Sequence, residues 1–325
     1  MQESDQSYYT AASRLSELLL GPAARLIKGK RLLIVAEGVL QYLPFAALPE
    51  PGKQAPLMVD HEIITAPSAS VLSVLRRETS GRDPAGKTLY VVADPVYSAN
   101  DARVGQRSVV PVAQRAPGGT DRIQSGAEGS GENFLRLRFS RTEAEQIANL
   151  IPAASTVKAL DFDANRDAVL KADLLRFRIL HFATHSVIDD ERPELSGIVL
   201  SLVDRAGRRQ DGLLRLYDIY NMRLNADLVV LSACRTALGQ EIKGEGLIGL
   251  TRGFFYAGAP RVLASLWQID DRTTAAFMRP FYESMLVRHE RPAAALRSAQ
   301  IEMWKTRGWE APYYWAAFTM QGEWK

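Results

Sequence analysis

The chain has 325 residues, 46% hydrophobic and 24% charged, a balance that fills a sizeable core and excludes disorder as the main state. Forty Lys and Arg against 37 Asp and Glu give a net charge of +3, far from the clustered positive field that phosphate-backbone binding needs, so nucleic acid is excluded as a partner. A single cysteine, Cys234, excludes an internal disulfide or a cysteine metal site and suits a reducing, cytoplasmic setting, while no signal-like start or run of ~18 apolar residues points to a membrane.

Apolar residues at helical spacing from Tyr8 to Leu26 predict a first helix. Arg31 to Ala36, part of Val39 to Ala47, and Val59 to Ala66 read as short strands, and Ser68 to Arg77 as a helix. Residues 1–83 are thus expected to form an N-terminal accessory part, followed by a core over 84–325. Thr88 to Ala93 is a buried strand, and the Gly-, Ser- and Arg-rich segment 97–136 that follows is too long for an ordinary connection. Ser140-Arg141-Thr142-Glu143 matches a capping box opening a helix to Leu150. Then come a strand (Thr156 to Leu160), a helix (Arg166 to Leu175) and a strand (Arg178 to Thr184). Ile198 to Val203 and Gly212 to Leu216 look like an excursion from the sheet. Strands at Leu228 to Ala233 and Arg261 to Trp267, a helix between them (Gly246 to Ala257), helices at Arg272 to Val287 and Pro292 to Trp304, and a strand at Trp315 to Gln321 complete the reading.

This alternation predicts an α/β fold with a mostly parallel sheet covered on both faces, whose chemistry collects at the carboxyl ends of the strands. Asp94, His185, Cys234 and Asp270-Asp271 all fall at that edge. Two glycine patterns compete for attention. Gly81-Arg82-Asp83-Pro84-Ala85-Gly86-Lys87-Thr88 spells a P-loop, but a helix precedes it and a strand follows, the reverse of what phosphate binding needs. Gly244-Glu245-Gly246-Leu247-Ile248-Gly249 spells a dinucleotide fingerprint without the tight strand-turn-helix, and reads as close packing at a helix entry. Cys234 is either a small inert core residue or, beside a histidine at the same edge, a nucleophile. Of the four histidines, His181 begins an apolar run and should lie inside, whereas His185 stands where the strand ends and is the better base.

His181-Phe182-Ala183-Thr184-His185, Leu231-Ser232-Ala233-Cys234-Arg235-Thr236-Ala237, Gly244-Glu245-Gly246-Leu247 with Ala257-Gly258-Ala259, and Ala264-Ser265-Leu266-Trp267 resemble the successive signatures of the CHAT domain. The resemblance extends to Leu43-Pro44-Phe45-Ala46-Ala47-Leu48-Pro49 and Ala295-Leu296-Arg297-Ser298-Ala299-Gln300, nearly the whole chain. It implies a caspase-like, separase-like cysteine peptidase: an α/β/α sandwich with a dyad that falls on His185 and Cys234, and an oxyanion site made by the backbone N–H groups of Ser186 and Cys234. The family commonly has Gly where this chain has Ser186, which keeps the N–H but restricts the backbone. No metal or organic cofactor is required, and the expected partners are a protein substrate and a regulatory sensing or helical-repeat module, of which the first helix would be the tail. A catalytically silent interaction module is the competing reading.

By the same resemblance, Gln268-Ile269-Asp270-Asp271 walls the pocket for the side chain before the scissile bond. Asp271, or failing it Asp270, would favour a basic residue there; the alternative is that these acids cap the next helix. Asp94 is a third candidate for substrate binding. Segment 97–136 is expected to be a mobile gate or a self-cleavage site at Arg115, Arg122 or Arg136, or else a tolerated insertion.

Overall fold

Aliphatic runs such as Leu89 to Ala93 and Leu228 to Leu231 offer no polar side to solvent, so their strands must be covered on both faces. The structure is a computed structural model that describes residues 2–105, 134–189, 192–232 and 245–324. In chain order its elements are α1 (Gln2–Leu20), α2 (Ala24–Ile27), β1 (Leu32–Ile34), β2 (Ile63–Thr65), α3 (Ala69–Thr79), β3 (Lys87–Pro95), α4 (Arg138–Ala148), β4 (Thr156–Asp161), α5 (Arg166–Lys171), β5 (Phe177–Ala183), β6 (Ser186–Val187), β7 (Gly197–Val199) and β8 (Leu213–Arg215). They continue with α6 (Leu216–Tyr220), β9 (Leu228–Leu231), α7 (Glu245–Ala257), β10 (Arg261–Ser265), α8 (Asp271–Tyr282), α9 (Pro292–Lys305), α10 (Pro312–Trp315) and β11 (Phe318–Gly322). Eight strands form one sheet in the order β1-β2-β11-β10-β9-β5-β3-β4, with every pairing parallel except β10 with β11. Strands β6, β7 and β8 form a separate antiparallel sheet, the excursion expected from the sequence.

The period of two divides the core. Tyr90, Val92, Leu180, Phe182, Val229 and Leu231 face one layer with Val169 of α5, Ile219 of α6 and Phe254 of α7. Leu89, Val91, Ile179, Ala183, Leu228 and Val230 face the other, with Ile147 of α4, Phe281 of α8 and Ala299 of α9. The result is the three-layer α/β/α sandwich, with β3, β5, β9 and β10 directing their carboxyl ends to a common edge. β1 and β2 extend the same sheet through Thr65 opposite Gln321. That junction is held by an Arg76–Glu323 ion pair and by Arg31 and Arg76 against the Trp324 ring, at 5.6 and 5.4 Å.

Two local expectations give way. Residues 39–47 are not a strand: 3₁₀ turns occupy Gly38–Tyr42 and Phe45–Ala47, because Gly38 sits at φ 56° and Pro44 supplies no amide to a ladder. The capping box at Ser140 is also overturned. Helix α4 begins two residues earlier, at Arg138; the Ser140 hydroxyl donates to the Leu137 carbonyl and accepts from the Asp94 amide, and Glu143 turns into the core. The P-loop-like stretch runs from the end of α3 into β3, as its sequence context requires. No described helix is long and apolar enough to cross a membrane.

Candidate active site

β5 ends at Ala183, and Thr184 and His185 continue at the carboxyl edge. His185 is 3% exposed, its ring packed against those of Tyr97 and Phe134 with centroids 5.3 and 5.5 Å away. Its Nε2 lies 2.7 Å from the Leu135 carbonyl oxygen. A carbonyl only accepts, so Nε2 carries the hydrogen and Nδ1 is the basic nitrogen. The base of the ring is also fixed: the Tyr97 hydroxyl donates to Thr184 Oγ1, 2.8 Å away, Thr184 donates to the Val199 carbonyl, and the Val199 amide donates to the His185 carbonyl. Burial raises the Tyr97 hydroxyl well above the ordinary phenol range, which keeps it a donor.

Ser186 opens β6 opposite Ile198, with no positive φ, so serine in place of glycine brings no backbone strain here. Because Val199 and His185 are a hydrogen-bonded pair, the alternation of an antiparallel ladder makes Ser186 and Ile198 a non-hydrogen-bonded one, and the Ser186 N–H points away from β7. An N–H not spent on the ladder is a precondition for an oxyanion donor. Among the described residues the buried Ser186 hydroxyl has no hydrogen-bond partner.

On the neighbouring strand, β9 ends at Leu231 and the Ser232 amide still donates to the Phe182 carbonyl at 2.9 Å, which extends the parallel pairing to Ser232. Cys234 follows two residues later in the sequence and lies outside the described residues, as do Arg115, Arg122 and most of the long segment after β3.

The three acids occupy different settings. Asp270 caps α8, its carboxylate accepting from the Thr273 amide at 3.0 Å. Asp271 caps a different helix. Its Oδ2 accepts from the Phe139 amide of α4 at 2.6 Å, and α4 has no side-chain cap of its own at Leu137. Burial, reinforced by Glu143, Asp270 and Asp94 nearby, pushes the Asp271 carboxyl up to about 6, with the Phe139 amide pulling the other way. Asp94 is fully buried at φ 50° and gripped by arginines: Arg136 in a fork at 2.8 and 2.7 Å, Arg141 at 2.9 Å and Arg103 at 3.0 Å. Arg103 and Arg141 also reach Asp161, at 2.9 and 2.5 Å. The carboxylate of Asp94 is therefore saturated by its own chain, and Arg136 would have to leave it before entering any pocket. Leu135 carries no signal in the sequence, since every residue has a carbonyl, and neither does the arginine cluster, whose members are 33 residues apart at Arg103 and Arg136.

Residues 10–323 match the CHAT domain. The chain belongs to the CHAT domain family. Tetratricopeptide repeat protein 28 of Mus musculus is 26% identical and that of Homo sapiens 25% identical, each over 336 aligned positions and 93% of this CHAT chain. The chain spans 12% of the length of either. The Saccharomyces cerevisiae separase–securin complex is similar in structure, in two solved forms. The TM-scores are 0.52 and 0.51, with 15% and 13% identity, over 90% of the CHAT chain and 16% and 15% of the matched chain. That likeness establishes the separase-like, caspase-like fold.

Proposed function

We propose that this CHAT chain is a cysteine endopeptidase with His185 as acid and base and Cys234 as nucleophile. The observation that carries the reading is the hydrogen bond from His185 Nε2 to the Leu135 carbonyl, which directs the basic Nδ1 to the remaining, proton-accepting role at the edge where the cysteine strand ends. Nδ1 takes the proton from the thiol and the thiolate attacks the scissile carbonyl carbon; the oxyanion is held by the N–H groups of Ser186 and Cys234. The imidazolium then gives its proton to the leaving amine, and water, deprotonated by the same nitrogen, releases the acyl group. Asp271 supplies a negative wall that favours Arg before the cut, since it has no arginine paired with it among the described residues, whereas Asp94 is held by Arg103, Arg136 and Arg141. The relatives are named as tetratricopeptide repeat proteins, which supports a helical-repeat partner as the regulator.

The decisive measurement is covalent labelling by peptidyl electrophiles carrying Arg, Lys or Leu next to the warhead. The Arg probe is expected to label wild type, with His185→Ala and Cys234→Ala reduced at least ~10³-fold. Equal labelling of wild type and Cys234→Ala would leave the interaction-module reading in possession. Retention of the Arg preference by Asp271→Asn would remove the acidic wall and leave the dyad intact.

A further inference from the structure

We infer that Glu143, together with Ser232 and His181, is a buried strut that sets the end of the cysteine strand against the histidine. The inference rests on the peptidase reading, in which these are positioning residues and touch no substrate. Glu143 is 1% exposed, Ser232 1%, and His181 and Tyr282 0%. One carboxylate oxygen, Glu143 Oε1, accepts both from His181 Nε2, 2.8 Å away, and from the Ser232 hydroxyl. His181 Nδ1 is 2.9 Å from the Tyr282 hydroxyl, so helix α4, strands β5 and β9 and helix α8 meet through four polar side chains inside an apolar layer.

Stability alone does not account for this arrangement. Burying four polar side chains where Ile147, Val230 and Phe281 already pack an aliphatic and aromatic core is costly, and well-packed apolar residues of similar volume are often as stable or more so. What apolar residues cannot supply is direction. Here a single segment, 135–143, holds both strand ends: the Leu135 carbonyl receives His185 Nε2, and Glu143 receives the hydroxyl of Ser232, two residues before Cys234. The offset between the two strand ends is thereby fixed from one side by hydrogen bonds, which have an angular preference that van der Waals packing lacks.

Because Cys234 is the only cysteine, alkylation by iodoacetamide reads that thiol alone, without any need for a substrate. The rate is measured against pH for wild type, Ser232→Ala and Ser232→Thr, with melting temperature as the control for folding. Wild type is expected to show a thiolate midpoint below the ~8.5 of an ordinary thiol. Ser232→Ala should move that midpoint upward and lower the rate at pH 7 about three- to tenfold, and Ser232→Thr, which keeps the hydroxyl, should restore it. Should Ser232→Ala not fold, Glu143→Gln, which keeps the shape but weakens the acceptor, carries the same expectation. An unchanged midpoint and rate in a folded Ser232→Ala, or no recovery in a folded Ser232→Thr, overturns the strut while the peptidase reading stands. A wild-type thiol that titrates as an ordinary one overturns the peptidase reading, and the strut with it.

Discussion

At Asp271 a partly buried carboxyl that shares its surroundings with Glu143, Asp270 and Asp94 gives the protein a pH dependence with a definite sign. Its folded value of about 6 is above the ordinary 3.8, so the folded state binds the proton more tightly than the unfolded one. Stability from this group is thus greatest below pH ~4, falls as pH rises through ~6, and is flat above. Asp271→Asn, which keeps an oxygen for the Phe139 amide, should melt like wild type at pH 4 and higher at pH 7, by on the order of 1 kcal/mol after allowance for solvent screening. Equal differences at both pH values in thermal melts would refute the assignment. Asp94 gives the opposite kind of prediction: Asp94→Ala breaks a buried ionic cluster and places alanine at φ 50°, and should cost about 3 kcal/mol or more in urea unfolding. At this scale the position of His185 at the carboxyl edge was legible, because a histidine ending a buried strand in a parallel sheet falls where adjacent strands end together. Glu143 was misread, since Ser-x-x-Glu looks the same whether the glutamate folds back on its own helix or points inward to His181.

Among the elements, the strands and helices that cover one another were legible from hydrophobic runs and periodicity, as β3, β5, β9 and α9 illustrate. Residues 39–47 were not, since Val39, Leu40 and Phe45 have strand-like side chains while Gly38 and Pro44 dictate turns. The family signature Ala257-Gly258-Ala259 has a local physical basis. Gly258 ends α7 at φ 114°, and a Cβ there would stand 2.6 Å from the Leu224 carbonyl oxygen, a backbone atom of a residue whose amide donates to the Ala257 carbonyl. Gly258→Ala is therefore expected to cost about 2–3 kcal/mol, combining strained backbone with a forced shift. Loss of less than 1 kcal/mol in chemical denaturation would mean that the turn relaxes freely, and that the glycine is not required by this geometry.

Across the whole molecule, residues 1–83 are joined to the C-terminal part by strand pairing at Thr65 opposite Gln321, by the ion pair of Arg76 in α3 with Glu323, and by Arg297 of α9 donating to the carbonyl of Met58. Unfolding residues 1–83 first would expose β11, an interior strand of the sheet. Scanning calorimetry is expected to show a single transition, and two resolved transitions would mark 1–83 as a separable unit. The double duty of Asp271 bears on how such a protein diversifies. On the proposed reading, the carboxylate that walls the substrate pocket also supplies the missing cap of a neighbouring helix, so replacing it by a side chain without an oxygen acceptor loosens α4, whereas asparagine does not. The cheapest repair is at Leu137, the uncapped N-cap position: serine or aspartate there would satisfy the exposed amides locally. Leu137→Asp is thus a permissive substitution, one whose benefit is invisible until Asp271 is changed and decisive afterwards.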